Sequence, residues 1–272
     1  MKRFILPRKP QDDGTIQLSG EDYHYLVRVR RLAPGETFPA LLPGGAETLV
    51  RVRSVEGGIL TGVCGPAAET AGGPPSAAPN LPPLILFQAL PKGGKMDLIV
   101  RQAAEGGIAE IVPFVSEHSV PRPGGGGGEG TGNRLGRWQR IVKEARQQSG
   151  SRTATTVGPP LDMGELLAYW EELKGRRPQA LGLLFHQSPL EQASLHGYLS
   201  INPEIVVLVI GPEGGFSPAE VSRFLAAGFK PLTMGDTVLR TETAAIYGAA
   251  AIRIILLESD WWLPKVPLPG SG

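Results

Sequence analysis

The run Ile205-Val206-Val207-Leu208-Val209-Ile210-Gly211-Pro212-Glu213-Gly214-Gly215-Phe216-Ser217-Pro218-Ala219-Glu220-Val221 constrains this chain more than any other stretch. Six apolar, mostly β-branched residues read as a buried strand. Gly211, Gly214 and Gly215 permit backbone angles and close approaches that a Cβ would block. Ser217 and Glu220 have the spacing of a capping box, and Pro218 suits the first helical position. Strand, glycine turn and helix in that order describe a ligand site in an α/β protein, because open parallel sheets bind at the carboxyl ends of their strands. Glu213 is the oddity. A phosphate cradle rarely carries a carboxylate, so the pattern favours a hydroxyl-bearing or cationic ligand. A tight strand-to-helix turn with an exposed Glu is the plainer alternative, and spacing alone leaves both open.

The 272 residues fit two domains or one large one. The 41% hydrophobic content is enough for a proper core. No stretch of about 18 apolar residues is present to span a membrane. Met1 to Pro7 lacks the apolar run and cleavage site of a signal peptide. The single cysteine and four scattered histidines give no metal-ligand spacing. The expectation is a cytoplasmic, metal-free protein with no membrane partner. Residues 84–152 hold ten Lys/Arg against six Asp/Glu, while residues 153–272 hold eight against twelve. A basic middle beside an acidic C-terminal part suggests a localised polyanion footprint, although solvated charge explains the same counts.

Short alternating runs at Thr15–Leu18, Thr37–Leu42, Thr48–Val55 and Ile59–Val63, separated by glycine turns, predict a small β-barrel over residues 1–64. A helix from Tyr23 to Arg31, with Ser19 as its N-cap, interrupts them. Residues 65–83 contain six prolines and read as a linker. Over 84–262 strands and helices alternate: strands at Leu84–Leu90, Glu110–Val115, Ala180–Phe185, Ile205–Ile210 and Pro231–Met234, helices at Lys95–Glu105, Arg134–Gln148, Pro218–Ala227 and Glu242–Leu257. Alternation of this kind predicts a mostly parallel sheet covered by helices. Pro121 to Gly132 is a low-complexity loop, and residues 263–272 read as a disordered tail.

A second glycine-bearing turn, Met234-Gly235-Asp236, precedes Leu239-Arg240-Thr241-Glu242-Thr243-Ala244 and a helix that is apolar nearly all round. Such a helix is buried on several sides, by its own core or by a second copy of the chain. Neither glycine turn has dinucleotide or P-loop spacing, and no Ser, Cys or His stands in a nucleophile elbow. The site is therefore built for binding and positioning. Basic residues cluster at Arg28, Arg30 and Arg31, at Lys92, Lys95 and Arg101, and at Arg137, Arg140, Lys143 and Arg146, each group compatible with phosphate contacts or with a solvated helix face.

G-P-E-G-G followed by F-S-P-A-E, and then L-R-T-E-T-A about twenty residues on, resembles the SPOUT methyltransferases. The likeness is strongest to the RsmE family, the bacterial 16S rRNA uridine-N3 methyltransferases. Q-A-L-P-K-G-G-K-M-D from Gln88, Glu105 to Pro113, Trp138 to Ile141 and Val29 to Glu36 extend it over nearly the whole chain. Tyr25, Arg30, Gly106, His118 and Gln147 stand where that pattern carries His, Leu, Leu, Arg and Glu. These departures fall in RNA-side segments, while the cofactor motifs match.

The resemblance implies a PUA-like barrel followed by an α/β domain with a C-terminal trefoil knot, a homodimer, and S-adenosyl-L-methionine bound in the knot. It implies a cofactor site of Phe185, His186, Ile210, Gly211, Pro212, Glu213, Gly214, Gly215, Met234, Gly235, Leu239, Arg240, Thr243 and Ala244. For the chemistry it points to Arg240, with Glu213 or Glu242 as proton acceptor or orienting group. For contacts to 16S rRNA or the small ribosomal subunit it points to Arg3, Arg28, Arg30, Arg31, Lys92, Lys95, Arg101, Arg140 and Arg146. Two alternatives stay open: a SPOUT enzyme acting on another atom such as a ribose 2′-oxygen, and a non-catalytic RNA-binding protein of the same fold.

Overall fold

A computed structural model describes residues 4–66, 81–119, 131–187, 190, 192–233 and 235–258. The chain divides into two compact units. The first comprises residues 1–78 and 143–154, the second residues 79–142 and 155–272. Arg3, Met234, most of the proline-rich linker, most of the glycine run and the C-terminal tail lie outside the described residues.

The first unit carries a five-stranded sheet in the order β1-β3-β4-β5-β2. Its strands are β1 (Phe4–Ile5), β2 (Thr15–Leu18), β3 (Thr37–Leu41), β4 (Glu47–Glu56) and β5 (Ile59–Gly65). All neighbouring pairs are antiparallel except β1 with β3. With β1 and β2 as edges it is a curled half-barrel, in keeping with the small β-barrel that the strand spacing suggests. Phe4, Ile16, Leu18, Leu26, Phe38, Val50, Val52 and Leu60 form its core. The expected helix is present but starts earlier, as a single α-helical turn, α1 (Gly20–Tyr23), and continues as a π-helix over His24–Val29. Ser19 stands at the N-cap position but its hydroxyl caps nothing. Arg31 ends the segment in the left-handed region at φ 58°.

The second unit carries a parallel six-stranded sheet in the order β11-β9-β10-β6-β7-β8. These strands are β6 (Leu84–Ala89), β7 (Glu110–Phe114), β8 (Thr156–Val157), β9 (Ala180–Phe185), β10 (Ile205–Ile210) and β11 (Lys230–Leu232). Every residue of β6 and β10 is buried. Burial on both faces is why these strands read as continuous apolar runs with no alternation. The helices are α2 (Lys95–Glu105), α3 (Thr131–Ser149), α4 (Met163–Arg176), α5 (Leu195–Leu199), α6 (Pro218–Ala226) and α7 (Thr241–Glu258). From Lys143 onward α3 belongs with the first unit, where Lys143 Nζ donates to Asp22 at 2.9 Å.

One sheet face is packed by aromatics: Phe87, Phe114, Trp170, Phe224 and Phe229. The Trp170 indole N–H donates to the Ala227 carbonyl at 2.9 Å, so the one polar atom of a fully buried ring is satisfied. Against β9 and β10, α7 makes a close approach at Gly248. A Cβ there would lie 2.7 Å from the Phe185 ring.

Helix α4 is absent from the sequence expectations, yet its start is strongly signalled. Asp162 accepts from the Glu165 amide and Glu165 accepts from the Asp162 amide, both at 2.8 Å. Two orphan donors at the helix start are thus satisfied reciprocally. Asp162→Ala should therefore cost about 1 kcal/mol of stability, read as a lowered urea midpoint with an unchanged slope. An unchanged midpoint would show that the cap contributes nothing.

Candidate active site

The three strand ends that matter are neighbours, because β10 lies between β9 and β6. At the end of β10 the chain turns through Gly211 to Phe216 and enters α6. There Ser217 and Glu220 form the expected capping box, with Pro218 at the first helical position. Glu220 is buried, and besides accepting the Ser217 amide at 2.9 Å it accepts the Glu117 amide at 2.9 Å. One carboxylate thus holds both the helix start and the segment after β7.

Of the three glycines in this turn, only Gly215 has a positive φ, at 69°. Gly211 and Gly214 are small for packing reasons. A Cβ on Gly211 would lie 3.2 Å from the Phe216 ring, and one on Gly214 would lie 3.0 Å from His118 Cβ. His118 Nδ1 is also 3.1 Å from the Gly215 carbonyl.

A cavity of about 250 Å³ opens here. Its walls come from the end of β9 (Phe185, His186, Gln187), the β10 turn (Ile210, Gly211, Pro212, Glu213, Gly215, Phe216) and the segment from Gly235 to Ala244. Gly235 turns that last segment at φ 83°. Among the expected site residues, Phe185, His186, Ile210, Gly211, Pro212, Glu213, Gly215, Gly235, Leu239, Arg240 and Ala244 line the cavity. Gly214, Thr243 and Glu242 do not. Gln187, Phe216, Thr237, Val238 and Thr241 line it without having been singled out for a ligand. Phe216 and Thr241 lie inside the two motifs, so motif membership was the available signal. Thr237 and Val238 lie between the Gly235 turn and Leu239, in the same run, whereas Gln187 carries no local signal, because only the fold brings it to the cavity.

Glu213 is engaged. Its carboxylate accepts from Lys95 Nζ at 2.8 Å and from the Lys92 amide at 3.2 Å. Lys95 also lies 3.5 Å from Glu242. Burial alone would raise the Glu213 pKa. The Lys95 hydrogen bond, the backbone amides of Glu213 and Lys92, and the Lys95 charge outweigh it and hold the carboxyl below its ordinary value. Lys95 is pushed up in turn, first by the hydrogen bond it donates to Glu213, against a desolvation penalty, and then by the charges of Glu213 and Glu242. The carboxylate in the glycine turn therefore already has a cationic partner within the chain.

The basic candidates fall in both units. Arg28 and Arg31 are exposed in the first, and Arg30 lies 6.0 Å over the Phe38 ring. Arg146 is only 6% exposed, and its Nε and Nη2 have no partner among the described residues. The helical spacing that grouped it with exposed arginines does not distinguish the buried side of α3. In the second unit Lys92, Arg101 and Arg140 are exposed, whereas Lys95 is held by the two carboxylates. Among the described residues no group of three or more His, Cys, Asp or Glu could hold a metal ion. No described helix is long and apolar enough to cross a membrane.

Residues 79–253 match the RNA methyltransferase domain family. The chain is 33% identical over 257 residues to the ribosomal RNA small subunit methyltransferase E of Synechocystis, covering 93% of this chain and 78% of that protein. It is 28% identical to the enzyme of the same name from Mycobacterium bovis, over 95% of this chain and 92% of that one. In three dimensions it resembles the ribosomal RNA small subunit methyltransferase E of Neisseria gonorrhoeae, crystallised bound to S-adenosyl methionine. That match has a TM-score of 0.74 and 26% identity, over 94% of this chain and 98% of the other.

The ion pair makes a pH signature. A carboxyl with a lowered folded pKa contributes stability that is present above its unfolded value and is lost as pH falls through the folded one. A lysine with a raised pKa contributes below its unfolded value and loses that contribution in alkali. Lys95→Met should therefore be less stable than the parent at neutral pH, with the gap closing on acidification. Carbon-detected NMR should show the Glu213 carboxyl titrating higher in the variant. A Glu213 titration unmoved by Lys95→Met would mean that the pair does not form.

Proposed function

Since this chain belongs to the RNA methyltransferase family, and within it to the ribosomal RNA small subunit methyltransferases E, we propose that it transfers a methyl group from S-adenosyl-L-methionine to N3 of a specific uridine in the 3′ decoding region of 16S rRNA. One observation carries the reading. The G-P-E-G-G and L-R-T-E-T-A motifs, separate in sequence, line a single cavity at the carboxyl ends of neighbouring parallel strands.

The residues present suit that cofactor. Phe185, Ile210, Val238, Leu239 and Ala244 offer apolar surface for a purine ring. Gly211, Gly215 and Gly235 line the same cavity, and without side chains they let a ligand come close to the backbone. Small-molecule sites combine apolar walls with a few placed polar groups in this way. Bound there, the cofactor would supply an electrophilic methyl group. The family resemblance adds Gly214, Met234 and Thr243 to the residues that would serve the cofactor.

Attack by N3 requires loss of its proton and leaves negative charge on the uracil oxygens. Arg240, exposed at the cavity wall, is the cation placed to stabilise that charge. Glu213 sits lower than an ordinary carboxyl, which makes it a weaker base and suits it to orienting the site. Glu242, 3.5 Å from Lys95, is the other carboxylate available for the proton. Positioning two substrates in line supplies much of the rate gain in such a site.

The same reading places the protein in the cytoplasm as a homodimer with a C-terminal trefoil knot. Tyr247, Ile254 and Leu257 on α7 are exposed apolar side chains that a second copy would cover. Its RNA contacts would come from Arg3, Arg28, Arg30 and Arg31 in the first part of the chain, and from Lys92, Arg101 and Arg140 in the second. Lys95 and Arg146 serve RNA only by leaving their present positions.

Calorimetry should show S-adenosyl-L-methionine binding to the purified chain, and no binding at millimolar ligand would end the enzymatic reading. Arg240→Ala should keep most of that affinity and lose turnover, measured as N3-methyluridine by mass spectrometry of 16S rRNA. Near-normal turnover would remove Arg240 from the mechanism. Unchanged N3-methyluridine in a deletion strain would refute the target.

A further inference from the structure

We infer that Gln88 is a positioning residue for the cofactor site, acting through the Thr241 hydroxyl on the carbonyl of Gly211. The inference rests on the proposed S-adenosyl-L-methionine site and concerns what holds its two walls in place.

Gln88 is the one polar residue of β6, and it is completely buried. Register places it opposite Ile210 at the carboxyl end of β10, one residue before Gly211. Its Nε2 donates to the Thr241 hydroxyl at 3.0 Å and to the Ala89 carbonyl at 2.9 Å. The Thr241 hydroxyl donates in turn to the Gly211 carbonyl at 2.7 Å. Gly211 and Thr241 line the cavity, and Gln88 stands behind them.

The relay has a fixed polarity. A threonine hydroxyl has one proton, and here it goes to Gly211. Thr241 must then accept from position 88, which requires a donor there. A glutamate at 88 would present only acceptors when ionised. Turning the amide over would set oxygen against oxygen and break the chain of bonds.

The amide also carries a liability. Gln88 Oε1 is buried and has no hydrogen-bond partner among the described residues. Methionine or leucine would fill the strand without that unpaired acceptor. Filling space therefore does not account for an amide at this position, whereas the bond to Thr241 does. Thr241 is the first residue of α7, and Gly211 opens the β10 turn. The relay thus sets the spacing between the wall built by the G-P-E-G-G turn and the wall built by the L-R-T-E-T-A segment. Lys95 ties the same two motifs together at a different point, through Glu213 and Glu242.

The test titrates S-adenosyl-L-methionine into the full-length chain and its variants by calorimetry, with thermal midpoints measured without cofactor. Gln88→Met should weaken binding by about tenfold, the scale of one lost hydrogen-bond relay, while its midpoint stays at or above that of the parent. Gln88→Glu should weaken it at least as much. Thr241→Val should match Gln88→Met, and the double variant should be no worse than either single, because both break one unit. Thr241→Ser keeps the hydroxyl and should bind like the parent. Steady-state kinetics should place the Gln88→Met loss in the cofactor KM and leave kcat at saturation nearly intact.

Gln88→Met binding within about twofold of the parent, well below one relay, would overturn the inference while the proposed function stood. A parent chain that binds no cofactor would overturn both. Where Gln88→Met does not fold, the contrast between Thr241→Val and Thr241→Ser decides, equal affinities counting against the relay.

Discussion

The carboxylate of Glu213, set between the Lys95 ammonium and the Lys92 amide, is the interaction on which the site depends. It joins the turn after β10 to the turn after β6, two segments far apart in sequence that leave the sheet side by side because their strands pair. Read in sequence, a carboxylate in a glycine turn points outward to a ligand with hydroxyls or positive charge. In the folded chain its charge is already matched, and its depressed pKa keeps it ionised. The glycines around it are small because Phe216 and His118 press on them, and only Gly215 uses the backbone freedom that glycine provides.

A second set of bonds works from the same strand. The buried Gln88 reaches Thr241, and Thr241 reaches Gly211, so the polar side chain of β6 is linked to one cavity-lining motif directly and to the other through it. The sheet thus does more than display loops. Its central strand supplies the donor that registers one loop against another. Helix α7 is held from the other side by the close approach at Gly248, where β9 and β10 leave no room for a Cβ. Polar ties at its first residue and apolar contact along its length place the segment carrying Arg240.

The strands and helices of the second unit were largely legible. β9, β10 and α2 match their sequence boundaries, because continuous apolar runs and a helix-periodic segment are strong local signals. Helix α4 was missed although Asp162 and Glu165 announce it. Its two glycines and the preceding Gly158-Pro159-Pro160 obscure the periodic pattern. The reverse failure occurs at Ser19, where an N-cap residue type stands at a helix start and caps nothing. Basic side chains were the least legible. Arg140 and Arg146 lie on one helix with similar spacing, yet one is exposed and the other almost wholly buried.

By itself the sequence determined the fold class, the main strands and most of the longer helices of the second unit, and the two motifs that make the cavity. Each of these is written in local pattern: apolar runs, glycine turns and capping residues adjacent in the chain. Tertiary structure alone decided what the charged and polar side chains do. That Lys95 neutralises Glu213, that Gln88 donates to Thr241 and that Arg146 is buried depend on which strands pair and which helix face turns inward. Electrostatic and hydrogen-bond partners are chosen across the fold, over distances of a few ångströms that sequence separation does not encode.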